Sequence, residues 1–262
     1  MLLSNRAAII TGGARGIGKG IALKFAEEGC SIVIADLIVN EAAKTVEEIS
    51  KKGKKAFFIK CDVSDSRQVQ NLIDQVIKKI GKVDILVNNA AIAQVPGSIT
   101  FVSEEEWDRV LAINLKGTFL CCKAVVPYMK EMRYGKIINI SSTGAIDPPA
   151  QAVSYSAAKA GVLGLTLDLA LELAPFNICV NAILPGGIRT ELWKSNIPPG
   201  VNEEDFFANA AEMRPMKRMG TPEDVAGAAL FLASDLSGFV TGDRIIVGGG
   251  VPLRQKYESV RK

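Results

Sequence analysis

Seven short runs of apolar, largely β-branched residues recur along the chain, separated by segments of helical periodicity. The runs lie at Ala7–Ile10, Ser31–Ala35, Ala56–Lys60, Val83–Val87, Lys136–Ile140, Asn177–Ile183 and Arg244–Val247. Helical patterns fall near Gly16–Glu28, Asn40–Lys52, Ser66–Ile80, Glu104–Met132, Ser154–Ala174 and Pro222–Ala233. Strands apolar on both faces must be covered on both sides, and strands separated by helices pair in parallel. The expected fold is therefore α/β, a doubly wound seven-stranded parallel sheet. No Pro/Ser-rich linker, repeat or low-complexity tract divides the 262 residues, so one domain over 1–262 is expected.

The first strand runs into Thr11-Gly12-Gly13-Ala14-Arg15-Gly16-Ile17-Gly18, and a helix follows. Glycines at 12, 16 and 18 permit a tight turn and close approach of a pyrophosphate to free N–H groups at the helix N-terminus. Asp36 ends the second strand, where a carboxylate binds the diol of an adenosine ribose. That carboxylate also repels a 2′-phosphate, whereas Arg15 in the turn is able to pair with one. Asp36 satisfies the diol and excludes the phosphate together, so NAD is expected ahead of NADP.

Tyr155 and Lys159 lie four apart and project from one helix face. An ammonium beside a phenol favours the phenolate, giving a proton donor and acceptor near neutral pH. With Asn114 and Ser142, these residues form the candidate catalytic set. The chain has no histidine, which excludes Ser-His-Asp, Cys-His and His-ligated zinc chemistry.

Composition narrows the partners. Lys and Arg number 31 against 28 Asp and Glu, a net charge of +3, without a basic block of the kind that tracks nucleic acid. No signal peptide is expected before the first strand, and no uninterrupted apolar stretch reaches bilayer length. Neither nucleic acid nor membrane is an expected partner. Cys30, Cys61, Cys121, Cys122 and Cys179 make no CxxC pair and no metal spacing, which suits buried thiols in a cytoplasmic protein. The Ser154–Ala174 segment carries Val162, Leu163, Leu165, Leu167, Leu169, Leu171 and Leu173 around nearly its whole circumference. Such a helix needs a second burial surface; an oligomer interface is the expected one, with coverage by the chain's own loops as the alternative.

Taken in order, TGGARGIG (11–18), Cys61-Asp62-Val63, Asn88-Asn89-Ala90-Ala91, Asn114, Ser142, Tyr155-Ser156-Ala157-Ala158-Lys159 and Leu184-Pro185-Gly186-Gly187-Ile188-Arg189-Thr190 resemble the short-chain dehydrogenase/reductase family over essentially the whole chain. The resemblance implies a single Rossmann domain and a nicotinamide-dependent oxidoreductase interconverting a secondary alcohol and a ketone. It implies that Gly12, Arg15, Gly16, Ile17, Gly18, Asp36, Asn89, Pro185 and Gly186 line the cofactor. By the same resemblance Asp62 and Val63 hold the adenine, and Asn88 braces the strand beneath. Ile188 and Thr190 position the carboxamide, and Lys159 also binds the nicotinamide ribose. The family's thirteen-residue separation selects Ser142 over Ser141, and Asn114 is expected to order a water linking Lys159 to solvent. Ala91 departs from the family's usual glycine. The family habit of pairing helices points to a homotetramer.

The connection at 187–216 is the expected substrate lid, with Trp193, Phe206 and Phe207 as its aromatics. Gln94, Thr143, Gln151, Gly187 and Trp193 are the candidate substrate contacts. A free small-molecule alcohol or polyol is expected. The alternative is a 3-oxoacyl thioester of acyl-carrier protein or coenzyme A. One basic carrier-docking position corresponds to Arg133, but the other is Phe176. A catalytically silent NAD-sensing protein is a third reading.

Overall fold

The computed structural model describes residues 1–195 and 197–251. All seven apolar runs become strands: β1 (Ala7–Thr11), β2 (Ser31–Asp36), β3 (Ala56–Lys60), β4 (Ile85–Asn88), β5 (Gly135–Ile140), β6 (Ile178–Pro185) and β7 (Arg244–Val247). They form one parallel sheet in the order β3-β2-β1-β4-β5-β6-β7. The strand order reverses between β1 and β4. At such a switch point the crossovers leave in opposite directions and open a crevice above the strand C-termini.

Alternate residues of each strand enter different cores. Ala8, Ile10, Ile32, Ile34, Ile85, Val87 and Ile138 pack with helices α1 (Gly16–Glu27) and α9 (Pro222–Ala233). Ile9, Val33, Ala35, Leu86 and Ile137 face the opposite side, against α3 (Ser66–Ile80), α5 (Gly117–Met132) and α6 (Val153–Leu173). Period-two side-chain alternation with both faces covered explains why these runs carry no polar stripe. Helix α2 (Val39–Lys51) follows β2. Between β6 and α9 run two helices, α7 (Glu191–Lys194), which the sequence pattern did not suggest, and α8 (Glu203–Glu212).

The expected Glu104–Met132 helix is continuous but not uniform. It consists of α4 (Glu104–Leu111), a π-helical turn over Ala112–Lys116, and α5. Its 29 residues match a bilayer crossing by length and composition. Here, however, Leu120, Cys121, Cys122, Val125 and Met129 are buried in the domain core. Helix α6 is apolar all round as expected, and the single chain covers it only in part. Val162 and Leu173 are buried, while Leu167 and Leu171 are 53% and 81% exposed.

Candidate active site

The glycine turn is the tightest feature at the C-terminal edge of the sheet. Gly12 sits at φ +63°, and a Cβ there would lie 2.9 Å from Ala90 Cα. A Cβ on Gly18 would meet the Gly12 carbonyl oxygen at 2.2 Å, so no side chain fits. The turn is held from β4: Asn89 Nδ2 donates to the carbonyls of Thr11 and Gly12 at 3.0 and 2.9 Å. Thr11 Oγ1 in turn accepts from the backbone N–H groups of Asn89 and Ala90, both at 3.0 Å. Arg15, exposed at the N-cap of α1, supplies no side-chain cap. The first-turn N–H groups at Gly16, Ile17 and Gly18 are thus left for an external anion.

Asp36 closes the turn from β2. Its Oδ2 accepts from the Ala14 N–H at 2.9 Å and its Oδ1 from the Ile38 N–H at 3.0 Å. Each carboxylate oxygen retains a second lone pair, so turn bracing and diol recognition are compatible. Asp62 forms an Asx turn, with Oδ1 accepting from the Ser64 N–H and hydroxyl at 2.9 and 2.7 Å, while Val63 is buried. From the β6 side Ile188 pairs with Gly220, and Thr190 lies across the turn, its Cγ2 3.4 Å from where a Gly16 Cβ would stand. Uncapped N–H groups, a glycine cradle and a carboxylate at the β2 terminus fit a dinucleotide.

Ser142, Tyr155 and Lys159 meet beside this cradle, at the end of β5 and the start of α6. Ser141 Oγ donates to the Lys159 carbonyl at 2.8 Å, which consumes that hydroxyl. Ser142 Oγ accepts from the Gly144 N–H at 3.0 Å and hydrogen-bonds the Tyr155 phenol. Lys159 is 3% exposed, donates Nζ to the Ile140 carbonyl at 2.8 Å and lies 5.8 Å from the Tyr155 ring centre. Burial lowers the Lys159 pKa to about 8. Burial also raises the Tyr155 phenol above its ordinary value, with the Ser142 bond pulling the other way. The net direction is thus opposite to the one expected from an adjacent lysine: desolvation is the largest cause, and the Lys159 ammonium is turned to the Ile140 carbonyl.

One further expectation changes. Gln94 is not free to contact substrate. Its Oε1 accepts from the Ser154 N–H and hydroxyl at 2.7 and 2.6 Å, and its Nε2 donates to the Gln151 carbonyl at 3.3 Å. It caps α6 from outside the helix, where Ala152 at the N-cap has no side chain able to do so. Asn114 spends its amide on the backbone of Ile92, accepting and donating at 2.9 Å each. That pair of bonds ties the π-turn to the β4 loop. Asn88 braces β4 as expected, donating to Asn139 Oδ1 at 2.9 Å, and Asn139 donates onward to Thr166 at 2.9 Å. The sequence reading missed this buried polar chain; its only signal was two asparagines inside apolar runs.

At the substrate end, Thr143 is buried directly after Ser142, while Gln151 is exposed in left-handed backbone at φ +64°. Trp193 stands 6.1 Å from Phe206, and Phe206 5.5 Å from Phe207. Gly187 faces Arg214, which the sequence reading did not single out; a Cβ on Gly187 would lie 1.6 Å from Arg214 Nη2.

Known proteins match this arrangement over nearly its whole length. The family described as Enoyl-(Acyl carrier protein) reductase matches residues 12–252. The (2S)-[(R)-hydroxy(phenyl)methyl]succinyl-CoA dehydrogenase subunit BbsD of Thauera aromatica is 41% identical over 253 residues, 97% of this chain and 99% of that protein. The 3-oxoacyl-[acyl-carrier-protein] reductase FabG of Thermotoga maritima is 39% identical over 254 residues, covering 97% and 100%. The crystal structure of levodione reductase superposes with a TM-score of 0.92 at 29% identity, covering 95% of this chain and 98% of that one.

Proposed function

The chain belongs to the short-chain dehydrogenase/reductase family of oxidoreductases, and from that premise we propose that it interconverts a secondary alcohol and a ketone with NAD(H). The reading rests on one observation above all: Ser142, Tyr155 and Lys159 meet at the sheet's C-terminal edge beside the glycine cradle. In this proposal the first turn of α1 holds the pyrophosphate, Asp36 the adenosine ribose, and Asp62 and Val63 the adenine. Ile188 and Thr190 hold the carboxamide, with Asn89, Pro185 and Gly186 shaping the cradle. NAD supplies the hydride acceptor when bound, and NADH the donor.

Ser142 and Tyr155 hydrogen-bond the substrate oxygen. Tyr155 removes the hydroxyl proton in oxidation and returns it in reduction. Burial penalises an isolated phenolate and an isolated ammonium alike, whereas the two together are neutral overall. Lys159 therefore lowers the cost of ionising Tyr155 only while it keeps its own proton, and the pair titrates as a unit. Gln94 fixes the start of α6, and with it the position of Tyr155.

NAD is preferred in this proposal because the Asp36 carboxylate at the end of β2 would repel a 2′-phosphate on the ribose it is proposed to hold. A second reading, reduction of a 3-oxoacyl thioester, is favoured by the names of the relatives from Thauera and Thermotoga. Against carrier docking, Arg133 gives a guanidinium N–H to the Pro175 carbonyl at 2.9 Å. Phe176 is covered by Lys130, 4.8 Å from its ring, and Lys130 is itself paired to Glu172 at 2.8 Å. Five free, buried cysteines agree with a cytoplasmic setting.

A homotetramer is part of the same proposal. It rests on exposed Leu167 and Leu171 and on a groove between Leu111, Leu115 and Phe119. The functional test follows NADH absorbance over secondary alcohols, polyols and hydroxysteroids with NAD, set against 3-oxoacyl thioesters with NADH and NADPH. Alcohol oxidation with NAD is expected. Thioester reduction with far higher kcat/KM would install the second reading, and NADH binding without any turnover would indicate a sensor.

A further inference from the structure

At the edge of the sheet opposite the glycine cradle, a buried cation lies beside a thiol. Lys136 and Cys179 are each the second residue of their strand, β5 and β6, and face each other in the parallel register. Residues opposite one another in a sheet project from the same face. Lys136 is 3% exposed, and its Nζ donates to three acceptors: the Ser237 carbonyl at 3.1 Å, the Ser237 hydroxyl at 3.3 Å and Cys179 Sγ at 3.4 Å. Those three bonds use all the donors of an ammonium. No carboxylate pairs with it among the described residues. Ser237 is itself buried, its hydroxyl turned to the Leu232 and Ser234 carbonyls at 2.9 and 3.1 Å. Of the three acceptors, only the thiol is able to carry a negative charge. An ammonium taken out of water needs one.

Cys179 also differs from the other four cysteines. It is 7% exposed, against 1–2% for Cys30, Cys61, Cys121 and Cys122. Burial pushes those four thiols up, Cys61 to about 11 and Cys122 to about 12. The hydrogen bonds made by Cys30 and Cys122 go to a carbonyl and an amide, not to a cation. A thiol kept protonated by burial is inert towards peroxide, whereas one beside an ammonium presents the thiolate. The Gly238 and Ser237 carbonyls stand 3.7 and 4.0 Å from Cys179 Sγ, long contacts for the proton of a weak donor.

We propose that Lys136 and Cys179 form a peroxide-responsive pair that closes into a covalent nitrogen–sulfur linkage between β5 and β6. In the first step the Cys179 thiolate attacks one oxygen of hydrogen peroxide. The S–O bond forms as the O–O bond breaks, and sulfur gives two electrons to the peroxide. The released hydroxide takes a proton from the Lys136 ammonium and leaves as water. In the second step the neutral Lys136 amine attacks the sulfenic sulfur. The N–S bond forms, the S–O bond breaks, and the hydroxyl departs with one amine proton as a second water. The ion pair and one peroxide thus become the linkage and two waters, with no charge left in the core. Because the two atoms already lie 3.4 Å apart on one face, only the lysine stem has to move. The pair sits at the N-terminal ends of its strands, away from Ser142, Tyr155 and Lys159, and the proposal is independent of the dehydrogenase reading.

The test treats the whole reduced protein with hydrogen peroxide near neutral pH, quenches with catalase, and digests it without reductant for mass spectrometry. The peptides carrying Lys136 and Cys179 should be joined, about 2 Da lighter than their sum, and dithiothreitol should separate them. Cys179 should react at least about tenfold faster than any of the other four cysteines, a comparison that needs no variant. Lys136→Arg keeps the cation but offers no nucleophilic amine. There the sulfenic acid on Cys179 should accumulate, captured as its dimedone adduct, with no linkage. Lys136→Met should slow Cys179 oxidation by about tenfold or more, with circular dichroism confirming that the variant is folded. The linkage should also raise Tm by several degrees, since it joins positions 43 apart in the chain. Faster oxidation of another cysteine, or an unchanged Cys179 rate in Lys136→Met, overturns the proposal. A sulfenic acid on Cys179 that never joins Lys136 overturns the linkage. So does a joined pair about 14 Da heavier than the sum, which would place an oxygen between the two atoms.

Discussion

Lys159→Met measures what a buried ammonium costs this fold. The native pKa of about 8 lies below the ordinary 10.5 that the unfolded chain recovers, so the unfolded state binds more protons between those values. Below about pH 8 the native state bears the whole penalty, and the penalty disappears as pH rises through 10.5. At about 1.4 kcal/mol per unit, it amounts to about 3 kcal/mol. The opposing contribution is the hydrogen bond to the Ile140 carbonyl at 2.8 Å, worth about 1–2 kcal/mol because its loss strands a buried acceptor. The variant should therefore be more stable than the parent by about 1–2 kcal/mol at pH 7, and less stable by a similar amount near pH 10.5. Urea unfolding at fixed protein concentration, with both proteins also carrying Tyr155→Phe, isolates the lysine, since every other titration cancels in the difference. A stability difference that does not change with pH would refute the buried-cation reasoning.

Tyr155→Phe should lower kcat/KM by at least about 100-fold while leaving the NADH dissociation constant within about twofold, as stopped-flow kinetics and fluorescence titration would read. Asp36→Ala should narrow the preference for NAD over NADP by about tenfold or more. Thermal unfolding of the same variant should drop by a few degrees, because the N–H groups of Ala14 and Ile38 lose their acceptors. Gln94→Leu should lower kcat more than it raises KM, with Gln94→Glu restoring much of the loss, since either acceptor caps α6; equal activity in all three proteins would contradict the capping role. Light scattering at micromolar concentration should give a tetramer, and Leu171→Glu should shift it towards smaller species.

The sequence by itself determined the seven strands, six of the helices and the glycine turn, because each is a local pattern: apolar alternation, helical period, or a backbone that only glycine adopts. It also carried the order of Asn114, Ser142, Tyr155 and Lys159, whose types and spacing are chemistry written in one dimension. Tertiary structure alone decided what those groups experience. Lys159 and Tyr155 are neighbours at i and i+4, yet burial sets their proton affinities, and burial is a property of everything packed around α6. Gln94 reads as a polar loop residue until the loop meets the open N-terminus of α6, sixty positions away. The π-turn at Asn114 answers the backbone of Ile92, and no helical periodicity announces it. Arg214 is one cation among the five between positions 189 and 218 until folding pairs the other four with carboxylates and packs it against Gly187 and Trp193. Each of these depends on contacts between distant segments, and desolvation and hydrogen-bond satisfaction have no counterpart in a linear pattern.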